Sequence, residues 1–78
     1  MNKAAFLIAM DELLELDLGT LSGSEQLSSI GSWDSLAVLG FIALVDQKFG
    51  IVLSPASIGD ANTINDLMVL LGDKISKD

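Results

Sequence analysis

Val38, Phe41, Ile42, Val45 and Phe49 stand at i, i+3, i+4, i+7 and i+11. Only a helix of 3.6 residues per turn brings that spacing to one side. The pattern predicts a helix that starts at Asp34 or Ser35, runs to Phe49 and buries this stripe. Gly50 follows as a left-handed C-terminal stop. The other side of the helix carries Leu36, Leu39, Gly40, Ala43 and Gln47. These residues are apolar, small or uncharged, which is unusual for a face left to water.

The same periodicity recurs upstream. Phe6, Met10, Leu13 and Leu14 recur at helical spacing from about Asn2 to Glu15, with Lys3, Asp11, Glu12 and Glu15 expected on the surface. Asp17 to Trp33 reads as a long loop, because Gly19, Gly23, Gly31 and six Ser or Thr residues favour turns. Leu21, Leu27 and Ile30 are expected to pin it to the core. A loop of this length in a small domain is uncommon and usually has a function.

Downstream, Ile51 to Leu53 is too β-branched and too close to Ser54-Pro55 for helix. Ser54 and Pro55 suit the N-cap and first turn of a short helix ending near Gly59. Thr63-Ile-Asn-Asp66 has the form of a capping box and opens a further helix through Leu67, Leu70 and Leu71, fraying around Gly72 to Ser76. Met10 and Met68 are expected in the core. The fold class is therefore all-α, a four-helix bundle with three longer helices and one short, in a single domain over residues 1–78.

Composition removes several functions. Neither His nor Cys is present, so Ser–His and Cys–His nucleophile pairs, disulfides and the usual zinc ligands are excluded. The segment from Asp17 to Glu25 lacks the alternating oxygen ligands of a calcium loop, and no metal site is expected. The net charge of −7 repels nucleic-acid phosphates and favours basic patches on other proteins. No stretch reaches the roughly 20 apolar residues of a membrane span, and Asp11 and Glu12 interrupt the apolar start before it resembles a leader. The expectation is a cytoplasmic monomer without catalytic residues of its own.

One place combines a flexible loop end with a helix start: Gly31-Ser-Trp-Asp-Ser-Leu36. Unpaired backbone N–H groups and the helix dipole at such a start favour a negative group. A phosphodiester on the hydroxyl of Ser35 suits it. The structural alternative is that Ser35 only caps the helix. Asp34 serves equally as a cap or as a carboxylate that assists modification by helping to hold a divalent cation. Trp33 reads as a half-buried staple against the helix.

Asp34-Ser35-Leu36 at the start of a second helix resembles the hallmark of acyl carrier proteins, of the free-standing kind used by dissociated fatty acid and polyketide synthases. The likeness extends to the first-helix length, the long loop, Phe49 closing helix two, Pro55 before a short third helix, and Thr63-Ile64 opening the fourth. The resemblance implies that Ser35 receives 4′-phosphopantetheine from a phosphopantetheinyl transferase. It further implies acyl-loading, elongating or acyl-transfer enzymes as partners, with Leu36 facing them; Asp34, next to Ser35, and Leu39, beside Leu36 on the helical wheel, are expected on the same partner surface. A carrier of an amino acid such as D-alanine shares this fold. A helical adaptor without a prosthetic group is the alternative from another class. Carriers of primary fatty acid synthesis usually place acids on helix two just after the serine. Here Ala37 and Gly40 stand there and Asp46 is the first acid, so docking is expected to rely more on shape and apolar contact.

Overall fold

The computed structural model describes residues 1–75. Four α-helices follow in order: α1 (Lys3–Leu13), α2 (Ser35–Phe49), α3 (Pro55–Gly59) and α4 (Ile64–Val69). Two are long and two are short, so the expectation of three longer helices is corrected. The fourth helix tightens early: Leu70 and Leu71 donate to the carbonyls of Leu67 and Met68, three residues back. A 3-10 turn at Gly72–Lys74 then takes the place of the expected fraying end, whose last residue, Ser76, lies outside the described residues.

Local chemistry sets each boundary. The Asn2 side chain accepts from the Ala5 N–H at 2.8 Å and opens α1. α1 stops at Leu13, two residues short of the expected end, because Glu15 turns left-handed at φ 58°. Leu16 N–H then donates to Asp11 O and Glu15 N–H to Glu12 O, the paired bonds of a Schellman stop. α2 ends at Gly50 with φ 68°, α3 begins at Ser54-Pro55, and the Thr63–Asp66 capping box is complete in both directions. These match the sequence reading.

Phe6 and Met10 from α1 and Leu14 just after it meet Phe41 and Val45 from α2, with Ile58, Ile64, Leu67 and Leu71 closing the core. Phe6 sets its ring edge to Phe41, with centroids 6.4 Å apart. The buried line of α2 is Ala37, Phe41 and Val45; Val38, Ile42 and Phe49 are only half-buried. The expected stripe is thus rotated toward Ala37, because α1 presses on that side of α2. Met10 is buried and Met68 is half-buried against the core.

The long loop is ordered by the start of α4. Leu27 N–H donates to Asn62 O at 2.8 Å, Ile64 N–H to Glu25 O at 3.2 Å and Asn65 N–H to Gly23 O at 2.8 Å. Gln26 and Thr63 form an isolated antiparallel bridge; among the described residues there is no strand. Leu21 and Leu27 are buried and Ile30 is half-buried, as expected of residues that pin the loop. Gly23 has φ 114°, and a Cβ there would fall 2.3 Å from Asn65 Oδ1, so only glycine fits.

Asp11 corrects the surface expectation. It is 1% exposed, and its carboxylate accepts from Gly19 N–H at 2.9 Å and Leu21 N–H at 3.1 Å. The carboxylate fastens the first half of the loop to α1.

Glu25 does similar work near the surface. The Ser22 N–H, then the Gly23 N–H, its own N–H and the Ser22 hydroxyl hold its pKa down at about 2, from an ordinary 4.5. Asp66 is also lowered, by the N–H groups of Asn62 and Thr63 and by the Thr63 side chain. Both folded pKa values lie below the unfolded ones. The stabilisation is therefore whole above the unfolded pKa and is lost as pH falls, for Glu25 from 4.5 toward 2. Thermal midpoints measured from neutral pH downward should drop across this range. Glu25→Gln should flatten the drop, and an unchanged slope would remove Glu25 as its source.

Candidate functional site

The candidate site is the N-terminal end of α2 and the loop that leads to it. Leu27, buried and bonded to Asn62 O, begins a chain of turns: Ile30 N–H donates to Leu27 O, and Trp33 N–H to Ile30 O at 3.0 Å. Trp33 is half-buried, with its ring edge on Phe41 at 6.3 Å between centroids. Asp34 and Ser35 therefore stand on a backbone anchored to both the core and the start of α4.

Asp34 is the N-cap of α2, and its Oδ1 accepts from Ala37 N–H at 2.9 Å. Capping is thus assigned to Asp34. Ser35 is the first helical residue and is exposed. Its hydroxyl is not the helix cap, and the first-turn N–H groups beside it have no intrahelical carbonyl to bind. α2 carries no acid in its first turn. A negative group on Ser35 would meet a favourable dipole, worth about 0.3–1 kcal/mol at an exposed site.

Leu36 and Leu39 project beside Ser35 and are 77% and 59% exposed. Ala43 and Gln47 continue this exposed side, but Gly40 does not: it is half-buried under Leu13. A Cβ at Gly40 would lie 2.9 Å from Leu13 Cδ1, so the helices approach closely there and a larger residue would push them apart. Beside this contact an open cleft of about 540 Å³ lies between the end of α1 and the start of α2. Asp34, Leu36 and Leu39 line it on one side, with Leu13 and Glu15 opposite.

The site residues named from sequence, Asp34, Ser35, Leu36 and Leu39, thus lie together on one end of α2. Sequence reasoning missed two contributors. Asp11 was placed on the surface although Leu7 precedes it by four residues and Leu14 follows by three, which puts it on an apolar side of α1. The contact of Gly40 with Leu13 had no signal beyond the glycine itself.

Among the described residues, no cluster of acidic side chains could hold a metal ion, and no helix is long and apolar enough to cross a membrane. Residues 6–71 match a family described as a phosphopantetheine attachment site. Comparison with curated proteins and with solved structures gives no match.

Proposed function

Because the chain belongs to the phosphopantetheine attachment-site family, whose members carry a covalently bound 4′-phosphopantetheine, we propose that it is an acyl carrier protein modified on Ser35. The observation that carries this reading is the division of labour at the start of α2. Asp34 caps the helix, and the neighbouring hydroxyl of Ser35 is left exposed. When attached, the group supplies a flexible arm whose terminal thiol holds cargo as a thioester. The chain's own part is to hold the serine in reach of a transferase, place the phosphodiester by the first-turn amides, and present cargo to successive enzymes. Family domains of this kind carry and do not catalyse.

The cargo we assign is an acyl group in fatty acid, polyketide or related specialised biosynthesis. An aminoacyl cargo is the alternative on the same fold. Incubation with a broad-specificity phosphopantetheinyl transferase and coenzyme A, followed by intact-mass and peptide mass spectrometry, tests the assignment. An adduct on Ser35 supports it. An unmodified chain supports a helical adaptor instead. Loading assays with acyl and aminoacyl donors then separate the two cargo classes.

Leu36 and Leu39, with Asp34 beside them, form the partner surface in this reading, because large apolar side chains this exposed contribute little to folding. Leu39→Ala should change stability by no more than about 0.5 kcal/mol. Transfer of cargo to a partner enzyme should slow, since an apolar anchor next to the arm is lost. A large fall in the thermal midpoint would instead make Leu39 part of the packing.

A further inference from the structure

We propose that Trp33 is a positioning residue for the modification of Ser35. It latches the end of the long loop onto the core and so holds the first turn of α2 in the form that a transferase acts on. The inference rests on Ser35 being the modified residue. Trp33 stands immediately before the N-cap Asp34 and two residues before Ser35. An apolar residue at that place usually packs against the fourth residue of the helix, here Val38, and fixes the angle at which the chain enters it. Trp33 reaches a turn farther. Its ring edge meets Phe41, with centroids 6.3 Å apart and planes at 70°. Phe41 is wholly buried and meets Phe6 of α1 in the same edge-on manner, at 6.4 Å and 87°. Three rings thus join the approach to Ser35 to the centre of the core. Edge-on pairs of this kind are favourable beyond the area they bury.

A second observation shows what the latch works against. Ser32, the residue before Trp33, has its Oγ buried without a hydrogen-bond partner. An unpaired buried hydroxyl costs folding free energy, and water would satisfy it if the segment opened. The apolar residues on either side keep the segment closed. Ile30 and Trp33 both pack against the core, and Trp33 N–H donates to Ile30 O at 3.0 Å. Gly31 adds no such anchor: a Cβ there would meet nothing within 4 Å.

Opening of this segment draws Asp34 away with Trp33. The cap that Asp34 Oδ1 makes on Ala37 N–H, at 2.9 Å, is then lost, and the first turn around Ser35 frays. Transfer needs Ser35 Oγ in line with the phosphorus it attacks. One P–O bond forms to Oγ, the bond to the adenosine bisphosphate of coenzyme A breaks, and the hydroxyl proton passes to a base of the transferase. Only molecules with the turn closed are competent. The apparent KM for the chain therefore rises as their fraction falls, while kcat holds.

The test is steady-state modification of the full chain by the broad-specificity transferase with coenzyme A, well below the melting temperature of each variant. Trp33→Ala should raise KM for the chain about tenfold and change kcat by less than about twofold. Trp33→Phe, which keeps a ring edge for Phe41, should bring KM to within about twofold of the parent. Ser32→Ala should leave KM of the parent unchanged. Combined with Trp33→Ala it should lower the raised KM by about threefold, because opening no longer frees a buried hydroxyl. Amide exchange in Trp33→Ala should quicken at residues 33 and 37 and stay unchanged at Val45, which separates local opening from global unfolding. Should Trp33→Ala fail to fold, Trp33→Leu carries the same comparisons. Trp33 is the single tryptophan, so acrylamide quenching of its emission reads the latch in the parent, and Ser32→Ala should reduce that quenching. An unchanged KM in Trp33→Ala, or no relief from Ser32→Ala in that background, would overturn the positioning role and leave the carrier assignment intact. A raised KM that Trp33→Phe does not restore, with exchange at Ala37 unaltered, would make Trp33 a contact of the transferase and overturn the latch. A parent chain that takes no adduct on Ser35 would overturn the carrier assignment and the positioning role together.

Discussion

Ser35→Ala should give a folded protein that accepts no phosphopantetheine. The loss should be complete, because the transferred phosphorus must bond to the oxygen that the substitution removes. The nearest upstream hydroxyl, on Ser32, is buried and poorly placed to substitute. The cost to folding should be small, within about 0.5 kcal/mol, the usual range for an exposed position without special contacts. The cap of α2 belongs to Asp34, and its bond to Ala37 N–H survives the change. Asp34→Ala should show the reverse balance. It removes the cap, at about 0.5–2 kcal/mol, while keeping the acceptor hydroxyl. Intact mass after transferase treatment and a thermal melt on both variants separate the two roles. A Ser35→Ala protein that still gains the adduct would move the site elsewhere.

The parts of this fold that were legible in the sequence are those fixed by a few neighbouring residues. Ser54-Pro55, the Thr63–Asp66 box and the Gly50 stop each act within one turn, and each was placed correctly. The end of α1 was misplaced because Glu15, with a side chain, takes a left-handed conformation usually left to glycine. The length of α4 was overestimated because Leu70 and Leu71 keep helical spacing while their hydrogen bonds shorten to a 3-10 pattern. Hydropathy does not distinguish those two geometries over one turn. For the candidate site, the exposure of Leu36 and Leu39 followed from the helical wheel, since they lie away from Phe41 and Val45. The assignment of the cap to Asp34 did not. Asp and Ser are equally good caps, and only backbone geometry chooses between them. The α1–α2 cleft was also hidden, because it depends on how closely two distant segments approach at Gly40 and Leu13.

Asp11→Ala should be among the most damaging single changes in the chain, although an aspartate is a residue type expected at the surface. Its carboxylate accepts from the backbone of both Gly19 and Leu21 and is shielded from water. Removing the charge relieves the cost of burying it, which favours the variant. Against this, hydrogen bonds to a charged acceptor contribute about 1.5–3 kcal/mol each, and a buried N–H left unpaired costs about 1–3 kcal/mol. The second effect wins, because the Leu21 N–H stays in the interior as long as the Leu21 side chain does. A net loss of about 3–5 kcal/mol is expected, as for other changes that break a buried polar network. At about 0.05–0.15 kcal/mol per residue, a chain of this size has about 4–12 kcal/mol in all, so the variant should be marginal or unfolded. Asp11→Asn keeps one acceptor oxygen and turns the other position into a donor. It should lose roughly half as much and remain folded, with amide exchange quickened at Gly19 or Leu21 and little changed in α2. Urea unfolding of both variants and hydrogen exchange on Asp11→Asn test this. An Asp11→Ala midpoint within about 1 kcal/mol of the parent would mean that the loop is held by Leu21 and Leu27 alone. Ser35 should still be modified in Asp11→Asn, because its own approach runs through Leu27, Ile30 and Trp33 and does not pass through the Asp11 clamp.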